Sequence, residues 1–316
     1  MRSLEGGATR AGAFILMPDG GAGTGAVAVL GGSEGGDGTA RRIGAALAEA
    51  GFTVLGVPYF RSYGDASAGP HASLPSSFAN LRVECVGEAV DWLRSETGIA
   101  RNQVALYGFS KGAELALLAA SLGGPYAAVV AISPSDVVWE GWGSGVAPGT
   151  CSGFSWEGRP LPFVPYEGFA WEMARYARRD HGARLANAHE AGRARHPRRV
   201  AQARIVAERA RCPMLLAAGG RDLAWPSARM AASIATRRGR AGLETGLLVY
   251  PECGHVLCGR GDWRHPTSPT GTEDQKARAA IWTATIGFLE GVLARRVRYR
   301  ARSSPTSSPA ARRSSS

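Results

Sequence analysis

The run Gly108-Phe109-Ser110-Lys111-Gly112 sets a hydroxyl between two glycines, each two positions away. A glycine-x-serine-x-glycine run suits nucleophilic acyl chemistry when it joins a strand to a helix. The sharp turn lifts the serine hydroxyl clear of the backbone, and only residues without Cβ fit in the crowded positions beside it. The apolar run QVALYGF (103–109) precedes the motif and the helix-forming KGAELALLAAS follows it, which is the context required. A serine that merely caps the helix is the plain alternative. The backbone amide of Lys111 would lie at the positive end of that helix, where a developing oxyanion could accept from it.

A serine hydroxyl is a poor nucleophile near neutral pH, so it needs a base and an acid that orients the base. On this kind of turn the chain order is Ser, then acid, then His. Asp222 follows the apolar run PMLLAAGG, and His255 follows TGLLVYPE, so both fall where strands should end. Asp222 could instead be a turn residue before Pro226, and His255 one loop histidine among six. A second oxyanion donor should come from the loop after an early strand. That loop is Gly31-Gly32-Ser33-Glu34-Gly35-Gly36, which offers the amides of Ser33, Glu34 and Gly35. A glycine-rich loop could also bind phosphate, but this one lacks the P-loop lysine and the full G-x-G-x-x-G pattern. Glu34 is either a carboxylate of the site or a cap for the next helix. Cys253 and Cys258 lie close to His255 but on no strand-to-helix turn, and are read as packing residues. No His/Cys/Asp set has zinc spacing, so neither a metal nor another cofactor is expected.

These residues need a scaffold that brings strand ends together. Apolar runs at 13–18, 26–32, 52–60, 103–109, 127–133, 213–220 and 245–252 read as strands buried on both faces. Helical patterns lie near 38–50, 77–97, 111–122, 226–238 and 274–294. The alternation predicts an α/β fold: a mostly parallel sheet flanked by helices. The spacing breaks between Ser133 and Cys212, where a Trp- and Gly-rich, then Pro-rich, then Arg/Ala-rich insertion is expected to form a cap at about 134–211. Its Trp139 and Trp142, with Trp225, are expected to contact substrate; a surface excursion away from any site is the alternative. The expected division is a segment 1–12, a main domain 13–294 and a basic disordered tail 295–316.

Composition fits this plan. Of 316 residues, 45% are hydrophobic and 20% charged, enough for one large core. The net charge is +11, and the seven arginines of 295–316, with no acid among them, account for seven of those charges. The remainder is an ordinary surface balance; the clustered arginines of the tail could attract the phosphates of a nucleic acid or an anionic membrane, but a solvated tail is the plainer reading, and no nucleic-acid partner is expected. Five cysteines without a CxxC pair argue against a disulfide framework and for a reducing compartment. No apolar run approaches the ~18 residues of a membrane span, and no signal peptide is evident. A cytoplasmic protein is expected, and the sequence assigns no oligomeric state.

GGSEGG (31–36), GFSKGAELALLAAS (108–121), SPSDVVWEGW (133–142), the run Ile205–Ser227 and YPECGHVL (250–257) resemble one family. It is the C-terminal catalytic domain of bile acid-CoA:amino acid N-acyltransferases and acyl-CoA thioesterases, related to dienelactone hydrolases. The likeness extends from about residue 13 to about 292. It implies the α/β-hydrolase fold and a covalent acyl-enzyme formed on acyl-CoA thioesters. Ser110 would be the nucleophile, Asp222 the acid and His255 the base. Serine at 110 resembles the thioesterase members, whereas the amidating members carry cysteine there; this tilts the resemblance toward hydrolysis by water, with acyl transfer to an amine as the alternative. A carboxylesterase or dienelactone-type lactone hydrolase, and a non-catalytic binding protein on the same fold, are the alternatives.

Overall fold

Strand residues that alternate between two apolar faces need helices on both sides, and the central strands here have them. The computed structural model describes all residues except 7–11, 22–24, 62–70, 179, 181, 262, 264–270 and 304–316. In chain order the strands are β1 (Arg2–Glu5), β2 (Phe14–Met17), β3 (Ala26–Leu30), β4 (Thr53–Gly56), β5 (Leu81–Arg82), β6 (Val104–Phe109), β7 (Val129–Ile132), β8 (Phe154–Trp156), β9 (Arg159–Pro160), β10 (Met214–Gly219) and β11 (Thr245–Tyr250). The helices are α1 (Gly38–Glu49), α2 (Glu84–Thr97), α3 (Lys111–Leu122), α4 (Phe169–Ala177), α5 (Leu185–Arg195), α6 (Pro197–Gln202), α7 (Ser227–Arg240) and α8 (Thr272–Ser303).

The main sheet has eight strands in the order β1-β2-β4-β3-β6-β7-β10-β11. From β4 to β11 every neighbouring pair is parallel; β1 and β2 join antiparallel at one edge. The chain is therefore an α/β-hydrolase-type fold with a mostly parallel sheet. In β3, Ala26, Ala28 and Leu30 enter one apolar cluster while Val27 and Val29 enter the other, as the two-residue strand period requires. A third, smaller cluster contains Val137, Trp139, Val164, Tyr166, Ala188, Ala203, Trp225 and Met230. It ties the insertion of 134–211 to α7 and to the segment after β10.

Four expectations change. A strand precedes residue 13: β1 is mostly exposed, and backbone pairing with β2 holds it together with Leu4, which packs against the core, and the Glu5–Arg41 ion pair. The last strand, β11, is not buried on both faces. It is the sheet edge, with Leu247 and Val249 37% and 41% exposed. The helix expected from 77 begins at Glu84, because Phe78 and Leu81 are drawn into pairing with Trp142 and Phe154. The final helix passes 294 and continues to Ser303, which takes it into the segment expected to be disordered. The rest of that tail, 304–316, lies outside the described residues. Among the described residues no helix is long and apolar enough to cross a membrane.

Candidate active site

Ser110 sits between β6 and α3 with φ 54° and ψ −121°, a conformation that L-residues rarely adopt. The flanking glycines are dictated by space. A Cβ on Gly108 would stand 2.3 Å from the carbonyl oxygen of Gly112, and one on Gly112 would stand 2.1 Å from that of Gly31. The turn is thus pressed against the end of β3 and the loop behind it. The Ser110 side chain makes no helix-capping hydrogen bond. Its Oγ lies 2.9 Å from His255 Nε2.

His255 Nδ1 lies 2.8 Å from Asp222 Oδ2. A carboxylate at that distance accepts, which places the proton on Nδ1 and leaves Nε2 to accept from Ser110. The loop carrying His255 is held from two sides. Ser133 Oγ donates to the His255 carbonyl at 2.6 Å. From α8, Asp274 Oδ1 accepts from the Gly254 amide at 2.9 Å, and Arg278 Nη1 donates to the Val256 carbonyl at 2.9 Å. Asp222 is fixed by the same means. Its Oδ1 accepts from the amides of Ala224 (2.8 Å) and Trp225 (3.2 Å), and its Oδ2 accepts from Ser227 Oγ at 2.5 Å. The turn reading of Asp222 and its contact with His255 therefore hold together. Ser110, Asp222 and His255 are all buried.

Ser110 and His255 open onto a cavity of about 380 Å³, which Asp222, on the far side of the imidazole, does not line. From the sheet side Ser33, Glu34, Phe109, Lys111, Trp225 and Val256 line it; from the insertion come Trp142, Tyr166, Phe169, Met173, Leu185 and His189. The insertion thus covers the strand ends over Ser110. Of the three tryptophans, Trp142 and Trp225 line the cavity and Trp139 does not. It is fully buried behind them, its indole N–H donating to Ser135 Oγ at 2.8 Å and its ring stacked on Tyr166.

The glycine-rich loop brings Ser33 and Glu34 to the cavity, while Gly35, at φ 73°, is not part of its wall. Glu34 does not cap α1, whose N-cap is Asp37. Its Oε1 accepts from the Gly32 amide at 2.9 Å, so the carboxylate folds back over its own loop. Tyr59, not anticipated from sequence, donates its hydroxyl to the carbonyls of Gly31 (2.8 Å) and Gly32 (3.2 Å) and fixes that loop.

A second unforeseen feature lies beside Ser110. The Lys111 ammonium pairs with Glu114 Oε2 at 2.7 Å, both side chains being buried. The rings of Phe78, Trp142, Phe154 and Trp225 surround the ammonium with centroids 5.0–5.8 Å away. Burial lowers the proton affinity of Lys111 and raises that of Glu114, and each charge restrains the other's shift. An i,i+3 Lys–Glu pair reads from sequence as an exposed helix pair; its burial appears only in three dimensions.

Cys253 and Cys258 are buried, and burial raises both thiols, Cys253 to about 11 and Cys258 further. Neither is a ready thiolate. Among the described residues no group of three or more His, Cys, Asp and Glu side chains could hold a metal ion.

A model of the family described as BAAT / acyl-CoA thioester hydrolase C terminal matches residues 81–259. No curated protein matches the sequence. Among solved structures, a protein from Klebsiella pneumoniae assigned as a dienelactone hydrolase is 15% identical, covering 90% of this chain and 98% of its own, with a TM-score of 0.56. A thermostable carboxyl esterase from Bacillus coagulans is 13% identical, with 89% and 94% covered and a TM-score of 0.55. An acylaminoacyl peptidase from Pyrococcus horikoshii is 11% identical with a TM-score of 0.53; 89% of this chain covers 39% of that one. At these identities the likeness is one of fold.

Proposed function

Since the chain belongs to the BAAT / acyl-CoA thioester hydrolase C-terminal family and is a hydrolase of α/β fold, we propose that it cleaves acyl thioesters through an acyl-enzyme on Ser110. The observation that carries this reading is the hydrogen-bond relay Asp222–His255–Ser110 opening onto an apolar cavity. Family membership favours a thioester over an oxygen ester.

Ser110 Oγ attacks the thioester carbonyl carbon while its proton passes to His255 Nε2. Asp222, held by three donors besides His255, stabilises the imidazolium and keeps its ring in register. The oxyanion would face the start of α3, where the Lys111 amide is the first donor; Ser33 and Glu34, which line the cavity, offer the amides of the second loop. Collapse of the intermediate breaks the C–S bond, and His255 returns the proton to the departing thiolate. Water then attacks the ester on Ser110, gives its proton to His255, and the acid leaves as Ser110 recovers the proton.

The test is thiol release from a panel of acyl-CoA thioesters, with mass spectrometry of Ser110 after rapid quenching. Ser110→Ala should lower turnover by roughly 10⁴–10⁶-fold and abolish the acyl adduct. Higher kcat/KM on p-nitrophenyl esters or lactones than on any thioester would move the assignment to a carboxylesterase or lactone hydrolase. Failure of a fluorophosphonate to label Ser110 would favour a binding protein.

A further inference from the structure

His189, on α5 of the insertion, is buried and lies on the cavity wall with Ser110 at its floor. Its ring stands edge-on to Trp139, Tyr166, Phe169 and Trp225, with centroids 4.5 to 6.4 Å apart, so its orientation is fixed. The Trp225 ring separates it from His255. His189 Nδ1 lies 2.8 Å from the Leu185 carbonyl oxygen. A carbonyl only accepts, so Nδ1 carries the proton and donates. Desolvation, aided by the positive charges of Lys111 and Arg193 and by His255, lowers the His189 pKa to about 3, so the ring is neutral at ordinary pH. Nε2 is then a bare lone pair. Among the described residues no hydrogen-bond partner meets it, and it is not one of the fully enclosed unpaired atoms. An acceptor left open in an aromatic wall costs stability unless a bound group or water supplies a donor.

We propose that His189 is a specificity residue whose Nε2 accepts a hydrogen bond from a hydroxyl on the acyl part of the substrate. This rests on the thioesterase reading above and narrows it from acyl groups at large to hydroxylated ones. The other N–H and O–H donors of an acyl-CoA lie on the thiol side, in the pantetheine chain, and the test separates the two. The preference for the acyl side comes from the wall itself: the ring is set among Tyr166, Phe169 and Trp225, which suit an apolar acyl body better than a polar chain.

The experiment compares kcat/KM for phenylacetyl-CoA and its 2-, 3- and 4-hydroxy derivatives, in the wild type and in His189→Phe and His189→Gln. At least one hydroxy isomer should be favoured about tenfold by the wild type. His189→Phe, which keeps the aromatic fill, should erase that preference by slowing the favoured hydroxylated substrate about tenfold more than phenylacetyl-CoA. His189→Gln, which restores an acceptor, should recover part of it. Melting temperatures confirm that both variants are folded. Equal loss on all four substrates, or no favoured isomer, overturns the proposal while leaving the thioesterase reading intact. A second series fixes the acyl group and replaces CoA by ethanethiol; a His189→Phe defect that appears only with CoA assigns the donor to pantetheine and also overturns it. If no thioester is cleaved, the thioesterase reading fails separately. Dissociation constants of phenylacetamide and its hydroxy derivatives, read from tryptophan fluorescence, then decide the His189 contact by the same tenfold criterion.

Discussion

At the scale of single residues, the site depends on side chains whose protons are placed by their neighbours. Asp222 accepts from two amides, a hydroxyl and an imidazole, which leaves its carboxylate no alternative position. Asp222→Asn keeps the volume but can present an amide N–H to His255 and reverse its tautomer. A fall in kcat of about 10⁴-fold is expected, with folding retained; a loss under tenfold would remove Asp222 from the relay. His189 carries a stability signature independent of catalysis. Its folded pKa, about 3, lies below the unfolded value near 6.5. The unfolded chain therefore binds the extra proton between these values, and stability falls as pH drops from about 6.5 towards about 3. The limiting slope is about 1.4 kcal/mol per pH unit. Melting temperature measured against pH should decline less steeply in His189→Phe than in the wild type, and identical slopes would contradict a buried neutral His189.

At the scale of elements, the β6–α3 turn is the tightest junction. Gly112 packs its Cα against the carbonyls of Leu30 and Gly31 at the end of β3, and those are backbone atoms that cannot swing away. Gly112→Ala must therefore displace α3 or the glycine-rich loop. A loss of at least about 2 kcal/mol is expected, readable as a lower melting temperature together with impaired turnover. The same junction shows what was legible. Ser110, Asp222 and His255 could be named because each follows an apolar run, and strand ends gather along one edge of a parallel sheet. The boundary of α2 was missed because helical periodicity near 77–83 gave way to pairing of Phe78 and Leu81 with partners more than sixty residues away. The strand β1 was missed because an exposed edge strand needs no apolar pattern.

At the scale of the whole molecule, the central strands are buried on both faces; part of the insertion, including Val138, Phe154 and Ile205, joins the same core, whereas its helices α4 and α5 enter only the small cluster around Trp139 and Tyr166. Its helix α4 leaves Trp171 66% exposed. Amide hydrogen exchange should accordingly be at least about tenfold faster in α4 and α5 than in β3, β6 and β7. Equal protection would mean that the insertion and the sheet open as one unit. Faster opening of the insertion suits its position over Ser110, since substrate must pass it.

Local pattern alone determined the order of the chain: alternating apolar runs and helical periods, and a serine, an acid and a histidine, in that order, each after the end of a strand. Burial and direction were decided by the tertiary structure. Trp139 and Trp142 are three positions apart in one insertion, yet one lies behind the wall and the other forms it. An i,i+3 Lys–Glu pair is ordinarily solvated, yet aromatic rings from three separate segments enclose the Lys111 ammonium paired with Glu114. Periodicity is a property of neighbours along the chain, and it survives in the sequence. Which face a side chain turns to a cavity depends on segments that meet only after folding, so no local signal can carry it.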